Sequence, residues 1–272
     1  MNLKKYSGSV IRKFQLAGVV DKLRFCFLYA TNYLANSKFE KKVSHFKFPP
    51  PYFIYETYSL NYQNYYEDGY QTAKEITLLL SEYLDFSKTS IRLLDWGCGP
   101  ARIVRHMPEI LATNNKIYGC DYNSKYVNWC NEHIKLVDFT KNNLHPPTSY
   151  VTGYFDVIYG LSIITHLSAA SHVEWVKELW RILKPGGILL ITSQGDAFKE
   201  KLLPHELVLF NNGKLVVRES KNEGHRIFSA FQPRNFMQEL LREFILFKFI
   251  EGGSKNSIQG LQDTWLVQKG LP

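Results

Sequence analysis

The chain has 272 residues, 45% hydrophobic and 15% aromatic, with a formal net charge of +8. That length carries one large domain, or one domain with an appendage, and content this apolar excludes a disordered chain. Cys26, Cys98, Cys120 and Cys130 show no CxxC spacing, which speaks against a metal site or a disulfide framework and for a reducing compartment.

The excess charge lies at one end. Residues 1–48 hold ten Lys and Arg against Asp21 and Glu40 alone, a net of +8, and the rest of the chain balances 23 basic against 23 acidic residues. The basic start is followed by neither a clean apolar core with a cleavage site nor an uncharged run of bilayer-spanning length, so a cytoplasmic protein is expected. Within the appendage Ile11, Phe14, Val19, Leu23, Phe27 and Leu28 stand near helical spacing, with Arg12, Lys13, Lys22 and Arg24 between them. A basic amphipathic helix of this kind suits an anionic membrane surface, which would make the protein peripheral at the inner face. The competing reading is a helix docked on the body or on a second copy in a homodimer. Nucleic acid is disfavoured, because no RNA-binding signature accompanies the charge.

The prolines of "FPPPYF" mark a boundary near residue 49. Residues 49–90 form a tyrosine-rich N-terminal cap, helical from about Gly69 to Tyr83 on the spacing of Ala73, Ile76, Leu79 and Leu80. Most of its tyrosines read as a packed collar, and some as a lid over a polar ligand.

From residue 91 strands and helices alternate. "IRLLDW" reads as a buried strand, "ARIVRHMPEILAT" as a helix, "KIYGCDY" as a strand and "SKYVNWCNEHI" as a helix. "KLVDF" and "FDVIYGLSI" read as strands, "AASHVEWVKELWRIL" as a helix ending at "KPGG", and "ILLITSQ" as the next strand. This order predicts an α/β fold with a doubly wound, mostly parallel sheet and a ligand at the carboxyl ends of its strands. Residues 49–272 then form one domain, interrupted at 196–232 by an insertion beside the acceptor side.

The turn "DWGCGPA", Asp95 to Ala101, follows the first strand. A dinucleotide fingerprint from Gly97 needs its third glycine at 102, which is Arg, and no acid two residues before the first glycine. D-x-G-x-G-x-[GA] fits better, with the backbone close to a ligand that has an amino-acid tail and a carboxylate available to its ammonium. Asp121 ends the next strand, where a carboxylate can accept both hydroxyls of a ribose.

At these residues the chain resembles class I S-adenosylmethionine-dependent methyltransferases. "LLDWGCGPARIV", "IYGCDYN", "FDVIYGLSIITHL" and "ELWRILKPGGILLIT" stand in that family's order, and "PRNFMQELLREF", "ILFKFIEGG" and "DTWLVQK" are similar to its last helix and closing antiparallel hairpin. The resemblance covers about residues 60–270 and implies a seven-stranded Rossmann-like sheet with S-adenosylmethionine as cofactor and no metal. Residue by residue it implies that Asp95, Gly97, Cys98 and Gly99 hold the methionine end and Asp121 the ribose. Tyr122 would stack on adenine, with Thr140–Asn143, Asn142 in particular, along the adenine edge. Tyr159, Gly160 and Leu161 would form the floor, Tyr66 and Gly69 would close the methionine side, and Arg102 would face the cofactor carboxylate. His166 is the candidate general base for a hydroxyl acceptor; His172, His205 and His225 are weaker candidates. "GHRIFSAF" and "GLQDTWLVQK" resemble a bacterial subgroup found with surface-glycan and natural-product clusters, which implies O-methylation of a sugar hydroxyl on a small-molecule or lipid-linked glycan acceptor. The alternative is a non-catalytic or RNA-directed protein that binds the same cofactor.

Overall fold

Strand β1 (Arg92–Trp96) is apolar on both faces because it lies at the middle of a sheet, parallel to β2 (Lys116–Asp121) on one side and to β4 (Phe155–Gly160) on the other. The computed structural model describes residues 17–87, 90–218 and 222–271. With β3 (Asp138–Lys141), β5 (Leu183–Ser193), β8 (Phe244–Ile250) and β9 (Asp263–Lys269) the sheet has seven strands in the order β3-β2-β1-β4-β5-β9-β8, with β9 running opposite to the rest. The chain winds outward from β1 to β3 and returns to β4, so the winding reverses between β1 and β4. A crevice opens at the carboxyl ends of strands at such a point.

Alternation along the strands divides the core in two. Leu93, Ile117, Val157, Tyr159, Ile188 and Leu190 share one face with helix residues Ala73, Ile76 and Leu80. Leu94, Trp96, Tyr118, Ile158, Leu189 and Ile191 share the other with Trp175, Leu179 and Met237. The covering helices are α3 (Tyr62–Ser81), α4 (Met107–Ile110), α5 (Ser124–His133), α6 (Ala169–Ile182) and α8 (Arg234–Leu240). The helix α6 starts where the Ser168 side chain accepts the amide of Ser171, and its apolar residues recur at helical spacing on the sheet side.

Ahead of the sheet, α1 (Ala17–Lys42) and α2 (Pro51–Thr57) pack with α3 around a cluster of Phe46, Phe48, Ile54, Tyr55, Tyr62 and Tyr65. The expected tyrosine collar is this cluster. Of the appendage residues named above, Ile11, Arg12, Lys13 and Phe14 lie outside the described residues. Leu28 turns inward against the cluster, while Val19, Leu23 and Phe27 are exposed. Between β5 and α8, the stretch 196–232 folds into a short helix α7 (Pro204–Asn211) and a two-stranded hairpin of β6 (Val216–Arg218) and β7 (Ser229–Phe231).

Three element expectations are corrected. The stretch 101–113 is not one helix: after a turn comes a single 3-10 turn, Val104–His106, and then α4. Ala101 takes a left-handed conformation at φ 61, and Pro108 has no amide to continue a helix begun earlier. Strand β3 starts at Asp138 rather than Lys135, because its ladder with β2 covers only Tyr118–Asp121. Strand β5 absorbs "KPGG", since α6 stops at Ile182 and Lys184 pairs with Asp156 of β4 at 2.5 Å.

Candidate active site

The turn after β1 is held from three sides. The amides of Gly97 and Cys98 donate to the Cys120 carbonyl at 2.8 and 3.0 Å, and the Gly99 amide donates to Asp121 Oδ2 at 2.9 Å. From α3, the Tyr65 hydroxyl donates to the Pro100 carbonyl at 3.0 Å. Gly97 sits at φ 75, and a Cβ there would come within 2.2 Å of Ile163. The turn is bare because a left-handed backbone passes close to a neighbouring side chain.

A cavity of about 300 Å³ opens over this turn, at the reversal of winding. Asp95, Gly97, Cys98, Gly99, Asp121, Tyr122, Asn142, Leu161 and His166 all line it, as does Arg102. Tyr159 lies beneath, fully buried, with its hydroxyl donating to Asp95 Oδ2 at 2.9 Å across the β1–β4 register. Gly160 packs against Trp96.

Two expected members are elsewhere. Tyr66 stands in the collar against Phe39, Phe46 and His106. Gly69 is where α3 presses on the turn from outside, since a Cβ there would lie 2.4 Å from the Arg102 carbonyl. One residue along a helix is a rotation of about 100°, and that step separates Tyr66 from Tyr65, which does hold the turn. Of the weaker histidines, His225 lines the cavity, His205 is exposed on α7, and His172 is buried with Nδ1 donating to the Ser168 carbonyl at 2.7 Å.

The electrostatics are those of an acidic floor under a partly basic wall. Burial raises the Asp95 carboxyl to about 7, with Asp121 adding to the effect and the Tyr159 hydroxyl opposing it. Burial likewise raises Asp121 to about 6, against amides from Asn123 and Gly99. Burial lowers Arg102, whose guanidinium lies 4.1 Å over the Tyr58 ring. Burial also lowers His166, helped by the nearby His225 and Arg226 and opposed by its backbone hydrogen bond. His166 Nδ1 donates to the Phe228 carbonyl at 2.7 Å, so its neutral ring keeps the lone pair on Nε2.

The remaining walls carry residues that motif reading missed. Glu56 and Thr57 of α2, Tyr126 of α5, Gln259, and Gly224 and Arg226 of the insertion all line the cavity. The Tyr126 hydroxyl donates to Glu56 Oε2 at 2.6 Å, and the Tyr122 hydroxyl to the Gly224 carbonyl at 3.1 Å. Arg226 donates from Nη1 to the Tyr55 carbonyl at 2.9 Å, lies 4.2 Å over the Tyr55 ring and stands 3.7 Å from Asp21 Oδ1. These contacts clasp the loop of the insertion to the N-terminal helices across the cavity. The sequence signal for Tyr65 is its shared face with Tyr62, Gly69 and Ala73; the others belong to no local pattern.

Residues 94–191 match the family model described as a methyltransferase domain. A similar fold is seen in an S-adenosylmethionine-dependent methyltransferase of Methanosarcina mazei, at 19% identity, 71% of this chain and 98% of that one, with a TM-score of 0.54. Another from Mesorhizobium loti is 12% identical over 72% of this chain and 98% of its own, with a TM-score of 0.53. The 1,6-didemethyltoxoflavin-N1-methyltransferase of Burkholderia thailandensis, solved with S-adenosylhomocysteine, is 14% identical over 73% of this chain and 78% of its own, with a TM-score of 0.51.

The residues present fit S-adenosylmethionine. The turn is bare where a ligand backbone must approach, and Asp121 keeps lone pairs beyond the two its amide donors use. Asn142, on the cavity wall, has a buried Oδ1 with no partner, an acceptor of the kind an exocyclic amine satisfies. With this fold, this turn and the match over residues 94–191, the chain carries a methyltransferase domain whose cavity residues fit S-adenosylmethionine.

Proposed function

We propose that the protein O-methylates a hydroxyl of a sugar, on a small-molecule or lipid-linked glycan, in the building of a cell-surface polysaccharide or a related product. The observation that carries this reading is His166: an imidazole on the cavity wall whose Nδ1 is committed to the Phe228 carbonyl and whose pKa burial lowers. An alcohol is a poor nucleophile until a base takes its proton, and a histidine neutral at pH 7 is suited to do so. The acceptor side also offers Glu56, Gln259, His225 and Arg226, groups that hydrogen-bond a hydroxyl-rich ligand.

In this reading Asp95 faces the ammonium of the cofactor, Arg102 its carboxylate, Asp121 the ribose hydroxyls, and Tyr122 and Asn142 the adenine. When bound, the cofactor supplies a methyl group on a sulfonium that is already activated. The chain's own task is to position the acceptor oxygen and to receive its proton at His166 Nε2. The insertion supplies the rim that selects the acceptor, through Gly224, His225 and Arg226.

The test is transfer of labelled methyl to a panel of nucleotide sugars, lipid-linked glycans and total RNA, with wild type and His166→Asn. The expected outcome is label in a glycan, and a kcat lower by about 10²–10⁴-fold in the variant with cofactor affinity unchanged. Label in RNA, or a variant with wild-type kcat, overturns the reading.

A further inference from the structure

Helix α1 has two apolar faces. The inner one is settled: Phe25 packs against the Tyr52 and Tyr55 rings at 5.1 and 5.4 Å, Phe39 against Phe48, and Asn36 Oδ1 accepts the amide of Tyr62 at 2.9 Å. Asp21 belongs to the same face, accepting the Tyr55 hydroxyl at 2.7 Å. Round the helix from these, Val19, Leu23, Phe27 and Leu34 recur at intervals of four or seven residues and are 57%, 66%, 67% and 80% exposed. Tyr33 and Cys26 extend the stripe, and Ala30 fills its centre, all exposed. At 1.5 Å per residue the stripe is about 22 Å long.

We infer that this outer stripe of α1 lies on an anionic membrane surface. Charge decides the occupant. Lys22, Lys38 and Lys41, all exposed, border the stripe, and residues 1–16 add Lys4, Lys5, Arg12 and Lys13 with no acid. Of the two acids of the segment, Asp21 is turned away into the clasp with Tyr55 and Arg226, and Glu40 is exposed beside Lys38, Lys41 and Lys42, which outnumber it. An apolar helix face bordered by lysines sinks to the boundary between headgroups and acyl chains, while each basic group gains about 1 kcal/mol from an anionic leaflet. A second copy would bring an equally basic surface against this one. A stripe of seven side chains is also small beside the roughly 800 Å² and 20–30 residues per partner of a stable interface. The inference does not depend on which acceptor is methylated. It adds that α1 carries, on its other face, the Asp21 end of the clasp over the cavity, so the docked element and the rim of the site are one helix.

The test uses the full chain in co-sedimentation with vesicles of phosphatidylcholine alone or with 30% phosphatidylglycerol. One variant is Leu23→Glu with Phe27→Glu and Leu34→Glu; a second is Lys22→Glu with Lys38→Glu and Lys41→Glu. The wild type should partition at least about 10-fold better onto the anionic vesicles, weaken with added salt, and lose about 10-fold or more in each variant, with cofactor affinity unchanged. The charge variant changes only exposed lysines, so it answers even where the apolar variant folds poorly. Equal partition onto neutral vesicles, or variants that bind as the wild type does, refutes the inference. So does a wild-type dimer that the apolar variant converts to a monomer, which would give the face to a second copy, or RNA binding in place of vesicle binding.

Discussion

Replacing Asp95 with Asn should stabilise the free protein and weaken its hold on the cofactor. The carboxyl is buried near the end of β1, on the cavity floor, with Tyr159 donating to one oxygen, and burial raises it to about 7 from an ordinary 3.8. An unfolded chain ionises this group above about pH 4, whereas the folded one resists ionisation up to about 7. The unfolded state therefore binds fewer protons in that window, and stability drains away as pH rises through it. At 1.36 kcal/mol per unit, the loss between pH 5 and pH 8 is of the order of 2–3 kcal/mol. Asn keeps an oxygen for Tyr159 and has no charge to bury, so its advantage over the wild type should grow by that amount across the same range. For a chain of this size that is a Tm difference widening by about 5 °C, read by thermal denaturation at pH 5 and pH 8. In calorimetric titration the variant should bind S-adenosylmethionine about 30-fold or more weakly, the usual value of a charged hydrogen bond. A wild type and variant whose Tm values move in parallel with pH would refute the reasoning, because the cost of burying charge would then lie elsewhere.

Three further outcomes follow from the same geometry. Gly97→Ala should cost about 2–4 kcal/mol in denaturant unfolding, from a left-handed alanine and a Cβ within 2.2 Å of Ile163, and should abolish cofactor binding. Tyr65→Phe removes the hydroxyl that holds the Pro100 carbonyl and should cost about 1–2 kcal/mol, with the KM for the cofactor raised several-fold and kcat little changed. Arg226→Ala opens the clasp to Tyr55 and Asp21 and should weaken cofactor binding about 10-fold by calorimetry while leaving Tm within a few degrees; unchanged affinity would show that the clasp does not close the cavity.

How much of this was legible depends on whether a residue's role is set by its neighbours in sequence. Strands β1, β2, β4 and β5 were readable because a strand enclosed on both faces is apolar at every position, a pattern that survives any detail of packing. Asp95 and Asp121 were readable for the converse reason: a carboxylate ending such a run has few structural uses. The helix expected after the turn failed on two local facts, the left-handed Ala101 and the missing amide of Pro108, which periodicity does not weigh. Tyr66 was expected where Tyr65 stands, because in a stretch this rich in tyrosine only the angle around α3 tells one ring from the next. Glu56, Arg226 and Gln259 meet at the cavity from stretches up to 203 residues apart, and nothing nearby in sequence marks them.

Helix α1 shows the same limit in a form with consequences for the site. In sequence the apolar residues near helical spacing form one stripe, yet Leu28 belongs to the inner face with Phe25 and Phe39, and Leu23, Phe27 and Leu34 to the outer. Two apolar faces on one helix cancel as amphipathicity, so only their contacts separate them. The charge pattern separates them as well: Asp21 points to the face with a partner, and the bordering lysines point to the face without one. A helix that merely docked on the body would need the first face alone. The second, which leaves Leu34 80% exposed, has a physical reason if something other than the described residues covers it.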